Sequence, residues 1–98
     1  MNNPHAKYDA VLHDNIEHNG SELEATIAME ELAELIQAVS KVKRYGCTGI
    51  YKENLIEEIA DTRIVIDELM MIFGISDDEY QNEKDAKVRR LKERMSAE

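Results

Sequence analysis

Residues that interrupt helices are rare in this chain and lie at a few well-separated positions. The only proline is Pro4, and the four glycines are Gly20, Gly46, Gly49 and Gly74. Proline and glycine are the two residues that a helix interior tolerates least. Between these positions, apolar residues recur among Glu and Lys at spacings of three and four, and strand-like alternation is absent. The sequence therefore predicts an all-α fold.

The helix boundaries follow from the glycines and from two capping patterns. Ser21 with Glu24, and Ser76 with Glu79, have the spacing of a capping box, in which each side chain bonds the backbone N–H of the other residue. Short connections favour antiparallel neighbours. We predict a single four-helix bundle-like domain over residues 1–98, with helices at about residues 6–18, 22–44, 52–73 and 77–95.

The balance of charge limits the partners that the chain can bind. Its 98 residues contain 12 Lys and Arg against 21 Asp and Glu, for a formal net charge of −9. Phosphate backbones and anionic membranes bind through Lys and Arg, so we expect no nucleic-acid or membrane partner. No apolar run approaches the length of a transmembrane helix, and the one cysteine, Cys47, excludes an intramolecular disulfide. We expect a cytoplasmic protein.

Two acid pairs occupy positions at or beside the apolar stripes of the central helices. Glu31 and Glu34 lie in the second predicted helix, and Glu58 and Asp61 lie in the third. Partners at i, i+3 are about 60° apart on a helix, so their oxygens can converge on one ion. On the helical wheel, Glu31 and Glu58 fall among apolar positions. A single pair of this kind is common in an acidic chain, where most such pairs are solvated.

The spacing of the pairs around the predicted turn brings them together. Glu31 and Asp61 are each 15 residues from Gly46, and Glu34 and Glu58 are each 12 residues from it. In an antiparallel hairpin, residues equidistant from the turn face one another. Four carboxylates in one small volume repel, and desolvation costs several kcal/mol per ion, so we expect a cation there. An all-oxygen ligand set favours Mg²⁺, with Mn²⁺ as a substitute.

The histidines of the chain are not expected to bind this cation. His5, His13 and His18 all precede the two central helices, and we expect them to be solvated. Di-iron carboxylate bundles need a Glu-x-x-His on two helices, so an iron oxidase is disfavoured. Glu30 and Glu57 point further toward solvent, and either form surface charge or support the metal and its water.

These residues resemble a known family. Glu30-Glu31-x-x-Glu34 on one helix and Glu58-x-x-Asp61 on the next are similar to the motif of the MazG-like all-α nucleoside triphosphate pyrophosphohydrolases. The strings EELAELIQAVSKVKR and ENLIEEIADTRIVIDELMMIFGI also look like small members, and the resemblance covers about residues 22–94. It implies Mg²⁺-dependent cleavage of a nucleoside triphosphate (NTP or dNTP) to nucleoside monophosphate and pyrophosphate. The implied metal ligands are Glu31, Glu34, Glu58 and Asp61.

The resemblance also implies contacts to the phosphates of the substrate. Lys87 and Arg90 occupy places similar to a Lys and an Arg of the family that approach the phosphates. Asn54 stands where some relatives have a lysine. The phosphate contact of that lysine is therefore either changed in this chain or moved to Lys52 or Arg63.

Two further roles near the cluster have more than one candidate or interpretation: the base that activates water, and the role of Arg44. We expect Glu34 or Glu31 to take the proton of the attacking water, with Glu30 as the second choice. Arg44, in a basic patch at the end of helix two, either complements the helix C-terminus or contacts a phosphate.

The third predicted helix carries apolar residues on two sides. Ile64 and Met71 lie about 180° from Leu55 and Leu69, which indicates a second layer of helices from another subunit. We therefore expect a homodimer or a dimer-of-dimers tetramer. The alternative to an enzyme is a non-catalytic helical module for dimerisation or regulation, with a vestigial metal site.

Overall fold

A computed structural model describes residues 6–97, and every regular element in this part of the chain is helical. This confirms the all-α class. After a 3-10 turn, the structure has four α-helices, close to the predicted segments. The third helix begins three residues earlier than predicted, because its connecting loop needs only residues 46–48, and the first three residues of the predicted first helix form the 3-10 turn. The elements are Ala6–Tyr8 (3-10), α1 (Asp9–Asn19), α2 (Ser21–Tyr45), α3 (Gly49–Ile72) and α4 (Asp77–Ala97).

Glycines end the first two helices. Gly20 and Gly46 have φ of +90° and +96°, a conformation that glycine adopts at little cost. The Gly20 N–H donates to the Ile16 carbonyl at 2.7 Å, and the Gly46 N–H donates to the Val42 carbonyl at 2.8 Å. These bonds satisfy carbonyls at the helix C-termini and confirm both predicted helix ends.

The two predicted capping boxes have different outcomes. Before α4 the box is confirmed: the Ser76 N–H donates to Glu79 Oε1 at 2.9 Å, and the Glu79 N–H donates to Ser76 Oγ at 3.1 Å. The box at Ser21 is wrong, since α2 begins without a side-chain cap. Glu24 is instead buried, with 3% of its surface exposed, and accepts a bond from Asn19. A contact with another helix has replaced the local cap.

Ser76→Ala is expected to fray the start of α4. Loss of an N-cap of this kind costs about 1 kcal/mol, so amide hydrogen exchange in the first turn of α4 should accelerate severalfold. Ser96→Ala is the matched control, because Ser96 Oγ donates to the Lys92 carbonyl at the far end of the same helix. Unchanged protection of the first turn in Ser76→Ala would contradict the cap.

The antiparallel hairpin of α2 and α3 forms the centre of the molecule, and α1 packs against both of its helices. Small and medium side chains make up the core. Within residues 6–97 no large side chain is fully buried, so that the hairpin leaves much apolar surface open. The buried apolar residues are Leu12, Ile16, Ala28, Ala38 and Val65.

α4 packs against none of the other helices that the structure describes. The radius of gyration is 16.3 Å, against about 13 Å for a compact domain of this length. Val88, Leu91 and Met95 of α4 are 54%, 45% and 67% exposed. The predicted packing of four helices within one chain is therefore not confirmed. A narrow apolar stripe among many charges gives α4 little surface to bury against its own chain.

Candidate metal centre

The acid pairs predicted from the sequence meet at the middle of the α2–α3 hairpin. Glu31, Glu34 and Glu58 each place a carboxylate oxygen within 4.8 Å of those of the other two. The charge of Asp61 acts on both Glu31 and Glu58. Three of the four predicted ligands thus share one small volume, and Asp61 lies at its edge.

Three buried side-chain oxygen atoms on α2 and α3 have no hydrogen-bond partner among the residues that the structure describes: Glu31 Oε2, Glu58 Oε2 and Thr62 Oγ1. Thr62 lies one turn after Glu58 and is only 5% exposed. Unpaired buried oxygens are rare because each loses its hydration without compensation. All the donors are oxygens, the ligands that Mg²⁺ and Mn²⁺ prefer. The residues present therefore fit a divalent cation.

Burial and mutual repulsion disturb the ionisation of the cluster. The pKa of Glu31 is raised to about 7. Burial is the largest cause, and the charges of Glu34, Asp61 and Glu58 raise this pKa further. The pKa of Glu58 is also raised, first by burial and then by Glu34 and Asp61, while a bond with Glu31 acts in the opposite direction. Without a cation, the cluster keeps part of a proton near neutral pH.

The metal-free protein is expected to lose stability as pH rises from about 4.5 to about 7. Glu31 ionises near 4.5 in the unfolded chain and near 7 in the folded one, so in this window the folded state binds more protons. Saturating Mg²⁺ should flatten the slope, since the cation then neutralises the carboxylates. Thermal unfolding in EDTA and in Mg²⁺ across this range measures the effect. Equal slopes in the two conditions would contradict a cation site at Glu31.

The residues predicted to flank the cluster differ in their placement. Glu30 and Glu57 are exposed, next to the cluster in sequence, which agrees with the prediction that they point further toward solvent. Asn54 is half-buried one turn before the acid pair of α3, whereas Lys52 and Arg63 are exposed. Asn54 and Glu58 are four residues apart and so lie on the same face of α3, and a phosphate contact of Asn54 stays a prediction.

Arg44 stays within its own helix end. Its Nη2 donates to Ser40 Oγ at 3.3 Å, and its guanidinium lies 5.9 Å from the centre of the Tyr45 ring. Ten helical residues separate the backbones of Arg44 and Glu34 by about 15 Å. Of the two interpretations of Arg44, this position favours the helix C-terminus over a phosphate contact.

The structure does not bring Lys87 and Arg90 to the cluster within one chain. Both lie on α4, which packs against no other helix of residues 6–97. Lys87 Nζ lies 3.8 Å from Glu83 on the same helix, and both side chains are largely exposed. Their contact with phosphates stays a prediction, and it requires α4 of another copy or a rearrangement of α4.

The two histidines of the described segment, His13 and His18, do not take part in the cluster. His13 and His18 are exposed, as predicted, and His5 lies outside the described residues.

Among the helices of residues 6–97, none combines the length and the apolar character that a bilayer crossing requires.

Sequence reasoning missed a second acid pair on the same two helices. Glu24 and Glu68 are each 3% exposed, and each is 22 residues from Gly46, so the register that pairs the cluster also pairs these two. Asn15 Nδ2 donates to Glu68 Oε2 at 3.0 Å. Burial raises the pKa of Glu68, the bond from Asn15 lowers it, and the nearby Glu24 raises it. Equal distance from the turn was the signal that would have found this pair.

Thr62 was missed as well. It lies one turn from Glu58 in the face of α3 that carries Leu55, Val65 and Leu69. A polar residue in an apolar stripe is the same signal that identified the acids.

No model of a known protein family matches this chain, and searches among curated proteins and among solved structures found no match either. Fold and site define an all-α protein whose central hairpin carries a partly buried carboxylate cluster. The resemblance to MazG-like pyrophosphohydrolases stays a prediction from the motif residues.

Proposed function

We propose that this protein hydrolyses a nucleoside triphosphate (NTP or dNTP) to nucleoside monophosphate and pyrophosphate, with Mg²⁺ as cofactor. The observation that supports this most is the carboxylate cluster with its unpaired oxygens on Glu31 and Glu58. An acidic cluster attracts a polyphosphate only through cations. The sequence has no Gly-x-x-x-x-Gly-Lys-Ser/Thr motif, so phosphate binding through a P-loop is excluded.

Glu31, Glu34, Glu58 and Asp61 would hold the cation. When bound, Mg²⁺ neutralises phosphate charge and makes a coordinated water more acidic. Glu34 is the exposed member of the three that converge, so its carboxylate faces an approaching substrate. Glu31 and Glu30 are the alternatives for the base.

The chain's own contribution to the reaction is to orient water and accept its proton. As the water oxygen bonds to the α-phosphorus, the carboxylate takes a proton from it. The bond from the α-phosphorus to the bridging oxygen breaks, and its electron pair leaves with pyrophosphate. One triphosphate and one water thus give one monophosphate and one pyrophosphate.

We further propose that the protein is a homodimer, or a dimer of dimers, in which α4 packs against another copy. Residues 84–94 contain six of the 12 basic residues of the chain but only two of its 21 acidic residues. On the helical wheel of α4, Lys87 and Arg90 fall within about 100° of Leu91, on one edge of the apolar stripe. If a second copy covers this stripe, Lys87 and Arg90 of the first copy would lie toward the acid cluster of the second.

Product analysis tests the reaction. The protein is incubated with canonical and modified NTPs and Mg²⁺, and pyrophosphate, monophosphate and orthophosphate are measured. Pyrophosphate with monophosphate is the expected result, and orthophosphate would contradict it. Stabilisation by Mg²⁺ without turnover of any nucleotide would favour the alternative, a non-catalytic helical module with a vestigial metal site.

A further inference from the structure

A cavity of about 250 Å³ opens beside the acid cluster, between α1, α2 and α3. Glu31 and Asp61 belong to both the cavity wall and the cluster. Four further polar side chains from all three helices line it: Asn15, Asn19, Glu24 and Glu68. The two buried glutamates are each seven residues from the shared acids, two helical turns or about 10 Å along the same face. One ligand can therefore reach both ends.

Hydrogen bonds fix the orientation of the two amides in this cavity. Asn19 Nδ2 donates to Glu24 Oε1 at 2.6 Å and to Asn15 Oδ1 at 3.2 Å. Asn15 Nδ2 donates to Glu68 Oε2 at 3.0 Å. Both N–H groups of the Asn19 amide are thus engaged, and the group that this side chain can still offer is its carbonyl oxygen. The two glutamates act as positioning residues for the amides.

The cavity is therefore rich in hydrogen-bond acceptors. The Asn19 carbonyl and the carboxylate oxygens accept bonds, whereas one N–H of Asn15 is left as a donor, so acceptors outnumber donors and N–H groups on a ligand suit the cavity. A ligand that places its own carbonyl oxygen against the Asn19 carbonyl leaves two acceptors facing each other, and sites built around hydrogen bonds reject such analogues strongly.

The size and the apolar lining of the cavity suit a flat ring. An enclosed cavity of about 150 Å³ holds a benzene ring, so this cavity of about 250 Å³, which is widely open to solvent, has room for one face and edge of a heterocycle. Ile27, Ile64 and Val65 also line the cavity and supply apolar contacts for the faces of a ring.

We propose that this cavity binds the nucleobase of the substrate and selects bases that carry an exocyclic amino group over their oxo counterparts. Asn19 and the carboxylates that orient the amides accept the bonds of the amino group. This proposal rests on the proposed function, because it takes the triphosphate to lie at the shared acids Glu31 and Asp61.

Two nucleotide pairs test the selection in the wild-type protein. CTP and UTP differ by an amino group against an oxo group, and ATP and ITP differ in the same way at a larger ring. We expect kcat/KM to favour the amino member of at least one pair by tenfold or more, on the order of what one paired donor contributes. Each ratio is independent of the fraction of active protein.

Variants assign the selection to the cavity. Glu68→Gln adds an amide donor to the polar wall and is expected to lower the amino-to-oxo ratio about tenfold or more. Asn19→Ala, at an exposed side chain, removes the carbonyl and is expected to lower the ratio as well. Glu53→Gln, an exposed control on α3, should leave the ratio unchanged.

The outcomes separate this proposal from the one on which it rests. Turnover with equal rates for both members of both pairs would overturn the base selection and leave the pyrophosphohydrolase standing. A preference that neither Glu68→Gln nor Asn19→Ala reduces would also overturn it. No pyrophosphate from any of the four nucleotides would contradict the proposed function itself, and the base cavity with it.

Discussion

Replacing Glu31 by Gln is expected to abolish turnover and, at the same time, to make the metal-free protein more stable. Turnover should fall by more than the roughly 10- to 100-fold that loss of a residue behind a metal ligand costs. The stability gain follows because the neutral amide removes repulsion from Glu34, Asp61 and Glu58 and lowers the cost of burial. The gain in unfolding free energy is on the order of 1 kcal/mol near neutral pH.

The measurements are pyrophosphate release and thermal unfolding, each with Mg²⁺ and with EDTA. Glu53→Gln makes the same chemical change at an exposed position of α3 and should alter neither quantity. If Glu31→Gln keeps its turnover, the cluster is not the metal site. If it lowers the unfolding temperature in EDTA, Glu31 is not under the repulsion described above.

Leu91→Glu is expected to dissociate the oligomer and to remove most of the turnover. Leu91 lies at the centre of the apolar stripe of α4 and is 45% exposed in the single chain. Burying a leucine contributes about 1.5–3 kcal/mol, and a buried unpaired charge costs more, so association should weaken by at least about 10- to 100-fold. Turnover falls with it if Lys87 and Arg90 act on the cluster of another copy.

Light scattering at micromolar concentration measures the mass against the 11.3 kDa of one chain. Asn82→Glu adds the same charge on the opposite side of α4, about 180° from Leu91, and should leave the mass unchanged. A wild-type protein that is already monomeric, or a Leu91→Glu protein that keeps the wild-type mass, would contradict an interface through α4.

The helices and the meeting of three acids could be predicted because their signals are local or fixed by the chain. Glycine ended α1 and α2 where the sequence indicated, and apolar periodicity identified the long helices. A short turn at Gly46 set the register of the hairpin. That register brought Glu31, Glu34 and Glu58 together although 23 residues lie between Glu34 and Glu58 in the sequence.

Contacts between distant helices were harder to predict. Glu24 has the spacing of a capping box with Ser21, but its carboxylate is buried opposite Glu68 and bonds Asn19. A local pattern cannot show that a third helix offers a better partner. The same limit applies to α4, whose apolar stripe indicates that it buries a face but not whether its own chain covers that face.

The position at which water attacks the substrate tests the central claim most directly. Hydrolysis with Mg²⁺ is run in water labelled with heavy oxygen, and both products are analysed by mass spectrometry. We predict that the label enters the nucleoside monophosphate and is absent from pyrophosphate, because water adds to the α-phosphorus. Label in pyrophosphate or in orthophosphate, or no product under conditions in which Mg²⁺ stabilises the fold, would contradict the account.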